Sequence, residues 1–196
     1  ADSGADAVVS APPYYYATGQ PELAEFYEDL IPQLSLPIFL YNMPTHTKVS
    51  FAPSTIKRIA ANEKVVGFKD SSANGAYLQS VIYEMRDHDD FSIFVGPEAS
   101  GGVNGGANMF PKLYVDLYNA ARANNIAEVK RLHSKVMQIS ASIYSVGSFG
   151  SSYLKGLKCA LNVLGLCNDY LAAPFNKFGS EQKTIITKAL KDIDLG

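Results

Sequence analysis

The chain has 196 residues, 47% hydrophobic and 18% charged, with a net charge of -2 at pH 7. That is an ordinary globular profile, and its near-neutral balance argues against a nucleic-acid footprint. No window approaches the roughly 18 apolar residues of a membrane span and no charged-then-apolar leader opens the chain, so the expected setting is cytoplasmic with no membrane partner.

The first predicted element is a strand near residues 5–10, Ala-Asp-Ala-Val-Val-Ser, running into three tyrosines at 14–16. A helix is predicted over 21–34, where Leu23, Phe26, Tyr27 and Leu30 fall at helical spacing and Pro21 suits a first turn. Residues 37–44 form a second apolar run ending in polar groups, followed by a predicted helix over 53–62 that Ser54 would start. A third strand covers 65–70, a helix opened by Asn74 covers 75–88, and a fourth strand covers 91–97. Strand, helix, strand at a spacing of about 28 residues is the pattern of βα units on a parallel sheet. Ligands bind such sheets at the carboxyl ends of the strands, and Tyr15, Tyr41 and Lys69 all fall there. After Pro111 the pattern is helical only, over 112–125, 126–145, 153–166 and 180–195, the last started by Ser180. The Gly- and Ser-rich stretch 145–152 reads as a turn more than as a hinge.

Lys69 interrupts an otherwise apolar strand. An unpaired buried ammonium is costly, which favours the neutral amine, and a neutral lysine amine is a nucleophile toward carbonyl carbon. The alternative is a strand-end lysine that snorkels to solvent. Cys159 and Cys167 lack a CxxC spacing, so they offer neither a zinc site nor a disulfide framework. His46, His88 and His133 have no ligand spacing, and the glycines of 101–106 fit no nucleotide fingerprint.

The motifs PPYYY at 12–16, YNMP at 41–44 and GFKDSS at 67–72, in this order and spacing, resemble the dihydrodipicolinate synthase and N-acetylneuraminate lyase superfamily. The run GGVNGGANMFP at 101–111 is similar to that superfamily's eighth strand and the turn into its helix. The resemblance implies an α/β fold, a (β/α)8 TIM barrel with a C-terminal helical extension, divided here as barrel strands four to eight over 1–125 and extension over 126–196. It implies a class I aldolase on pyruvate or a related 2-oxo acid, with no metal and no organic cofactor. Lys69 would form the Schiff base, Tyr41 would shuttle protons, and Tyr15 would reach into a neighbouring subunit's site of a homodimer or homotetramer. Tyr14 and Tyr16 would be packing residues. The Val103 carbonyl would border the substrate, and His46 stands where dihydrodipicolinate synthases carry an arginine for the aldehyde partner's carboxylate. A histidine is mostly uncharged and monodentate near neutrality, which tells against dihydrodipicolinate synthesis. Asp70-Ser71-Ser72 resembles the sugar-acid and hydroxy-oxoglutarate aldolase branches, so cleavage of a 2-oxo-3-deoxy sugar acid or 4-hydroxy-2-oxo acid is the leading reading. Dihydrodipicolinate synthesis and sialic-acid cleavage are the alternatives.

The sequence departs from the pattern in two places. It opens at what would be the fourth strand, so the Thr-Thr turn that holds the 2-oxo acid carboxylate has no counterpart. Glu98 and Gly101 are also too close for a parallel crossover of about a dozen residues. Either 91–97 and 101–105 form an antiparallel hairpin, or a helix is missing between Glu98 and Ala99, with a broken junction there. A barrel of about 28 residues per unit with a helical tail would need roughly 290 residues. A non-catalytic relative that binds a 2-oxo acid or a partner is the reading from another functional class.

Overall fold

The structure, a computed structural model, describes residues 3–94 and 101–193. The chain divides into two compact units, Ala1–Gly102 and Val103–Gly196.

The first unit is a four-stranded sheet in sequence order, β1 (Val8–Ser10), β2 (Ile38–Asn42), β3 (Val65–Asp70) and β4 (Ser92–Phe94). Every pair is parallel, as the βα spacing predicts. The crossovers carry α1 (Gln20–Leu30), α2 (Pro44–Thr47), α3 (Pro53–Ile59) and α4 (Gly75–Glu84). One face of the sheet meets these helices in a core that includes Leu23, Tyr27, Leu40, Phe51 and Phe68. Polar staples fix the layers. Tyr27 donates from its hydroxyl to the Ser10 carbonyl at 2.9 Å, joining α1 to β1. Gln20 donates to the Ser50 carbonyl and accepts from Ala52 N and Thr55 Oγ1, at 2.9, 2.8 and 2.7 Å.

A β-bulge decides which way the end of β3 faces. Ile38 pairs with Val65 but Phe39 pairs with Gly67, so Val66 is the extra residue. Val65 can then face the helices together with Phe68 and Asp70, while Gly67 and Lys69 face the other side with Phe39 and Tyr41. Without the bulge, strict alternation would put Lys69 on the same side as Val65.

The second unit carries α5 (Pro111–Arg122), α6 (Ile126–Ile139), a π-helical turn at Ser140–Tyr144, α7 (Ser152–Val163) and α8 (Ser180–Asp192). Leu117, Leu132, Ile139, Ile143, Ala160 and Ile186 form its core. Gly156 lets α7 press on the π turn, since a Cβ there would lie 2.3 Å from the Ile143 carbonyl oxygen. Residues 145–151 are turns and bends, matching the turn expected there.

Several boundaries differ from expectation. The helices predicted over 21–34 and 75–88 end as α-helices at Leu30 and Glu84, the first continuing as a 3-10 turn at Ile31–Gln33. Ser54 does not start α3; Ala52 is its cap and Pro53 its first residue. Likewise Gly179 caps α8 and Ser180 is already helical, whereas Asn74 does cap α4, its side chain accepting from Tyr77 N. The strand expected at 101–105 is replaced by one bridge between Gly101 and Phe94 and a 3-10 turn at Gly105–Asn108. That bridge is parallel, so the hairpin alternative fails at this pair. The Glu98–Ala99 junction lies outside the described residues.

Candidate active site

Tyr41 and Lys69 are directly paired across β2 and β3, one register step from the carboxyl ends of both strands. Parallel pairing places both side chains on the same face. The Lys69 Nζ lies 3.8 Å from the centroid of the Tyr41 ring and donates to the Ser71 hydroxyl at 3.2 Å. Both residues are half-buried, close enough to solvent for a small molecule to reach them. Burial pushes the Tyr41 phenol up, but the Ser71 hydroxyl, the Lys69 hydrogen bond and the Lys69 charge together outweigh it and leave it below its ordinary value. A phenol so placed can both donate and accept beside a primary amine. Below this pair the same face is aromatic, with Phe39 and Phe94 ring centroids 5.1 Å apart.

Directly behind Tyr41 and Lys69, on the helix side, the next residues of the two strands also meet. Asn42 is fully buried and Asp70 is 4% exposed, and Asn42 Nδ2 donates to Asp70 Oδ1 at 2.8 Å. Sequence reasoning read Asp70-Ser71-Ser72 only as a mark of the substrate branch and gave Asn42, Asp70 and Ser71 no place in the site, although all three lie inside the YNMP and GFKDSS motifs. Their signal was a polar residue closing each of two apolar runs, one step past the residue already chosen.

The remaining candidates lie on other elements of the chain. His46 is exposed on α2, its Nδ1 3.0 Å from the Thr45 hydroxyl. Tyr15 follows β1 and is 75% exposed with a φ of 86°, meeting the Tyr16 ring edge-on at 5.0 Å. Tyr14 and Tyr16, expected to pack, are instead 77% and 80% exposed. Three consecutive rings on a loop that leaves the sheet cannot all turn into the single core behind it. Val103 is exposed and belongs to the second unit. Among the described residues no cluster of three His, Cys, Asp or Glu side chains could hold a metal ion, and no helix is long and apolar enough to cross a membrane.

Residues 1–193 match the model of the dihydrodipicolinate synthetase family. The chain is 28% identical over 193 residues to a probable 2-dehydro-3-deoxy-D-pentonate aldolase, YjhH, of Escherichia coli, covering 92% of this chain and 63% of that protein. It is 30% identical over 203 residues to a 4-hydroxy-tetrahydrodipicolinate synthase of Jannaschia sp., covering 99% and 68%. A solved dihydrodipicolinate synthase from Bacteroides thetaiotaomicron superposes with a TM-score of 0.94 at 67% identity, covering 97% of this chain and 67% of that one. The chain thus spans about two thirds of the length of the relatives it matches. Its parallel βα sheet is part of a (β/α)8 barrel wall, its later helices form the C-terminal helical part, and the chain belongs to the dihydrodipicolinate synthetase family.

Proposed function

We propose that this chain carries the reacting core of a class I, Schiff-base-forming lyase acting on pyruvate or a related 2-oxo acid. The observation that carries the reading is the Lys69 amine held 3.8 Å over the Tyr41 ring at the ends of adjacent parallel strands. The Lys69 nitrogen attacks the keto carbon, the resulting carbinolamine loses water, and the iminium accepts the electron pair released when the neighbouring carbon loses a proton. The enamine then adds to an aldehyde; in the opposite direction, cleavage of the carbon-carbon bond releases one. Tyr41 carries protons among these oxygen atoms.

Cleavage of a 2-oxo-3-deoxy sugar acid or 4-hydroxy-2-oxo acid is supported by His46 in the arginine's place and by the similarity to a pentonate aldolase. The 67% identity to a dihydrodipicolinate synthase supports synthesis from pyruvate and an aldehyde as the second reading. In this proposal 1–125 forms barrel wall and 126–196 the extension, in a cytoplasmic homodimer or homotetramer. Tyr15, exposed and backbone-strained, completes a neighbour's proton relay there, and His46 and the Val103 carbonyl border the substrate.

Borohydride reduction in the presence of pyruvate tests the core of the reading. A pyruvate-derived mass is expected on the Lys69 peptide and absent from Lys69→Ala. Equal labelling of wild type and Lys69→Ala would overturn the assignment. Assays with a 2-oxo-3-deoxy sugar acid and with pyruvate plus a carboxylate-bearing aldehyde separate the two substrate readings.

A further inference from the structure

We propose that Asp70 and Asn42 are positioning residues, whose buried hydrogen bond locks the ends of β2 and β3 in the register that stacks Lys69 on Tyr41. The inference rests on the functional reading above and names a part of its machinery that the reacting groups themselves do not reveal.

Each polar atom in the pair is accounted for. Asp70 Oδ1 accepts from Asn42 Nδ2 at 2.8 Å and from Ser72 N at 3.1 Å, and Oδ2 accepts from Ser72 Oγ at 2.8 Å. Asn42 Oδ1 accepts from Ser50 Oγ and Phe51 N, both at 3.2 Å. The Asn42 carbonyl accepts from Ser71 N at 2.9 Å, and the hydroxyl of that serine takes the Lys69 hydrogen bond. One residue therefore follows Tyr41 directly in sequence and also holds the backbone of the Lys69 partner.

Among the described residues, all the donors to Asp70 are neutral. A buried carboxylate held only by neutral donors is an expensive way to join two strands that apolar side chains could join more cheaply. A fully satisfied polar network has directionality instead and admits one arrangement where apolar packing admits several. Lys69 and Tyr41 need that, because a displacement of about 1 Å at a reacting group can cost roughly a hundredfold in rate. The carboxylate faces the helix side and cannot itself touch a substrate on the Lys69 face, so its action runs through Lys69 and Tyr41.

The test compares Asp70→Ala, Asp70→Asn and Ser72→Ala in the whole chain, by the rate of borohydride-trappable imine formation with pyruvate. Asp70→Ala is expected to slow trapping by roughly ten- to a hundredfold. Asp70→Asn is expected to restore it to within about threefold, since an amide can keep the bonds to Asn42 and Ser72. Combining Asp70→Ala with Tyr41→Ala, which removes both the ring under Lys69 and its hydroxyl, separates positioning from general damage. A residue acting through Tyr41 loses most of its effect in that background, whereas an equal loss in both backgrounds overturns the proposal, as does wild-type trapping by Asp70→Ala. Should Asp70→Ala fail to fold, Ser72→Ala decides: slowed trapping supports the proposal, and an unchanged rate overturns it. Trace acetylation of the Lys69 amine needs no substrate. If wild type forms no imine with pyruvate, the functional reading fails alone; Lys69 reactivity altered in these variants then supports the positioning role, and unaltered reactivity overturns it.

Discussion

Tyr41 differs from the other half-buried or buried tyrosines of its unit in the direction its phenol is pushed. Burial drives Tyr27 and Tyr77 well above the ordinary value, with hydrogen bonds to Ser10 and Ser50 only partly opposing it. Tyr41 goes the other way because Ser71 and Lys69 outweigh burial. Replacing it by phenylalanine keeps the ring under Lys69 and removes only the hydroxyl. Turnover is expected to fall by roughly 10²–10⁴ with folding intact; unchanged kcat in a folded variant would refute the phenol's role. A tyrosine NMR titration, assigned with the same variant, should show Tyr41 ionising before an ordinary phenol and Tyr27 after. The linkage signs are opposite. Above about pH 10 the unfolded chain ionises at Tyr27 while the folded chain does not, so stability falls there by at most about 1.4 kcal/mol per pH unit. At Tyr41 the folded chain ionises first, so its contribution grows as pH rises toward 10 and is lost as pH falls through the folded value.

Within the sheet, β3 carries a tight steric constraint at Gly67. A Cβ on Gly67 would lie 2.3 Å from Phe39 Cε1 and 2.4 Å from the Ser92 carbonyl oxygen. The ring could swing aside, but the carbonyl belongs to the backbone of β4 and cannot yield without separating the strands. Gly67→Ala is expected to cost about 1–3 kcal/mol or more, read from the denaturation midpoint, and adding Phe39→Leu should recover only part of it. Full recovery would mean that the ring alone sets the constraint. The types and order of the longer helices and of β1 to β4 were legible because buried strands give apolar runs and packed helices give 3.6-residue spacing, whereas the four-residue α2 is too short to show any spacing and was missed. Ends were less legible: the spacing of Leu23 to Leu30 says nothing about where α1 tightens into the turn at Ile31–Gln33. The Val66 bulge was invisible, since an extra residue inside an apolar run changes facing without changing composition. For the same reason Lys69 was found by its chemistry and Tyr41 by its strand-end place and the family resemblance, whereas Asn42 and Asp70, on the opposite face, required the register.

At the scale of the molecule, the most exposed large side chains include Tyr14, Tyr15 and Tyr16 on one loop. If Tyr15 completes a neighbour's site, specific activity should fall on dilution as subunits part, and sedimentation should show the loss in step with dissociation. Activity independent of concentration, from a species sedimenting as a monomer, would exclude that role. The same loop has a further consequence for how the protein survives in solution. Exposed apolar surface on a stable monomer tends to find a partner where it is contiguous, and here the Tyr15 and Tyr16 rings meet in the open with exposed Tyr14 next to them in sequence. If the protein self-associates through this loop, a separated protomer would therefore lose colloidal stability along with activity. Variants chosen to weaken self-association should precipitate before they unfold, unless polar residues at positions 14 and 16 remove the adhesive surface while leaving Tyr15 in place.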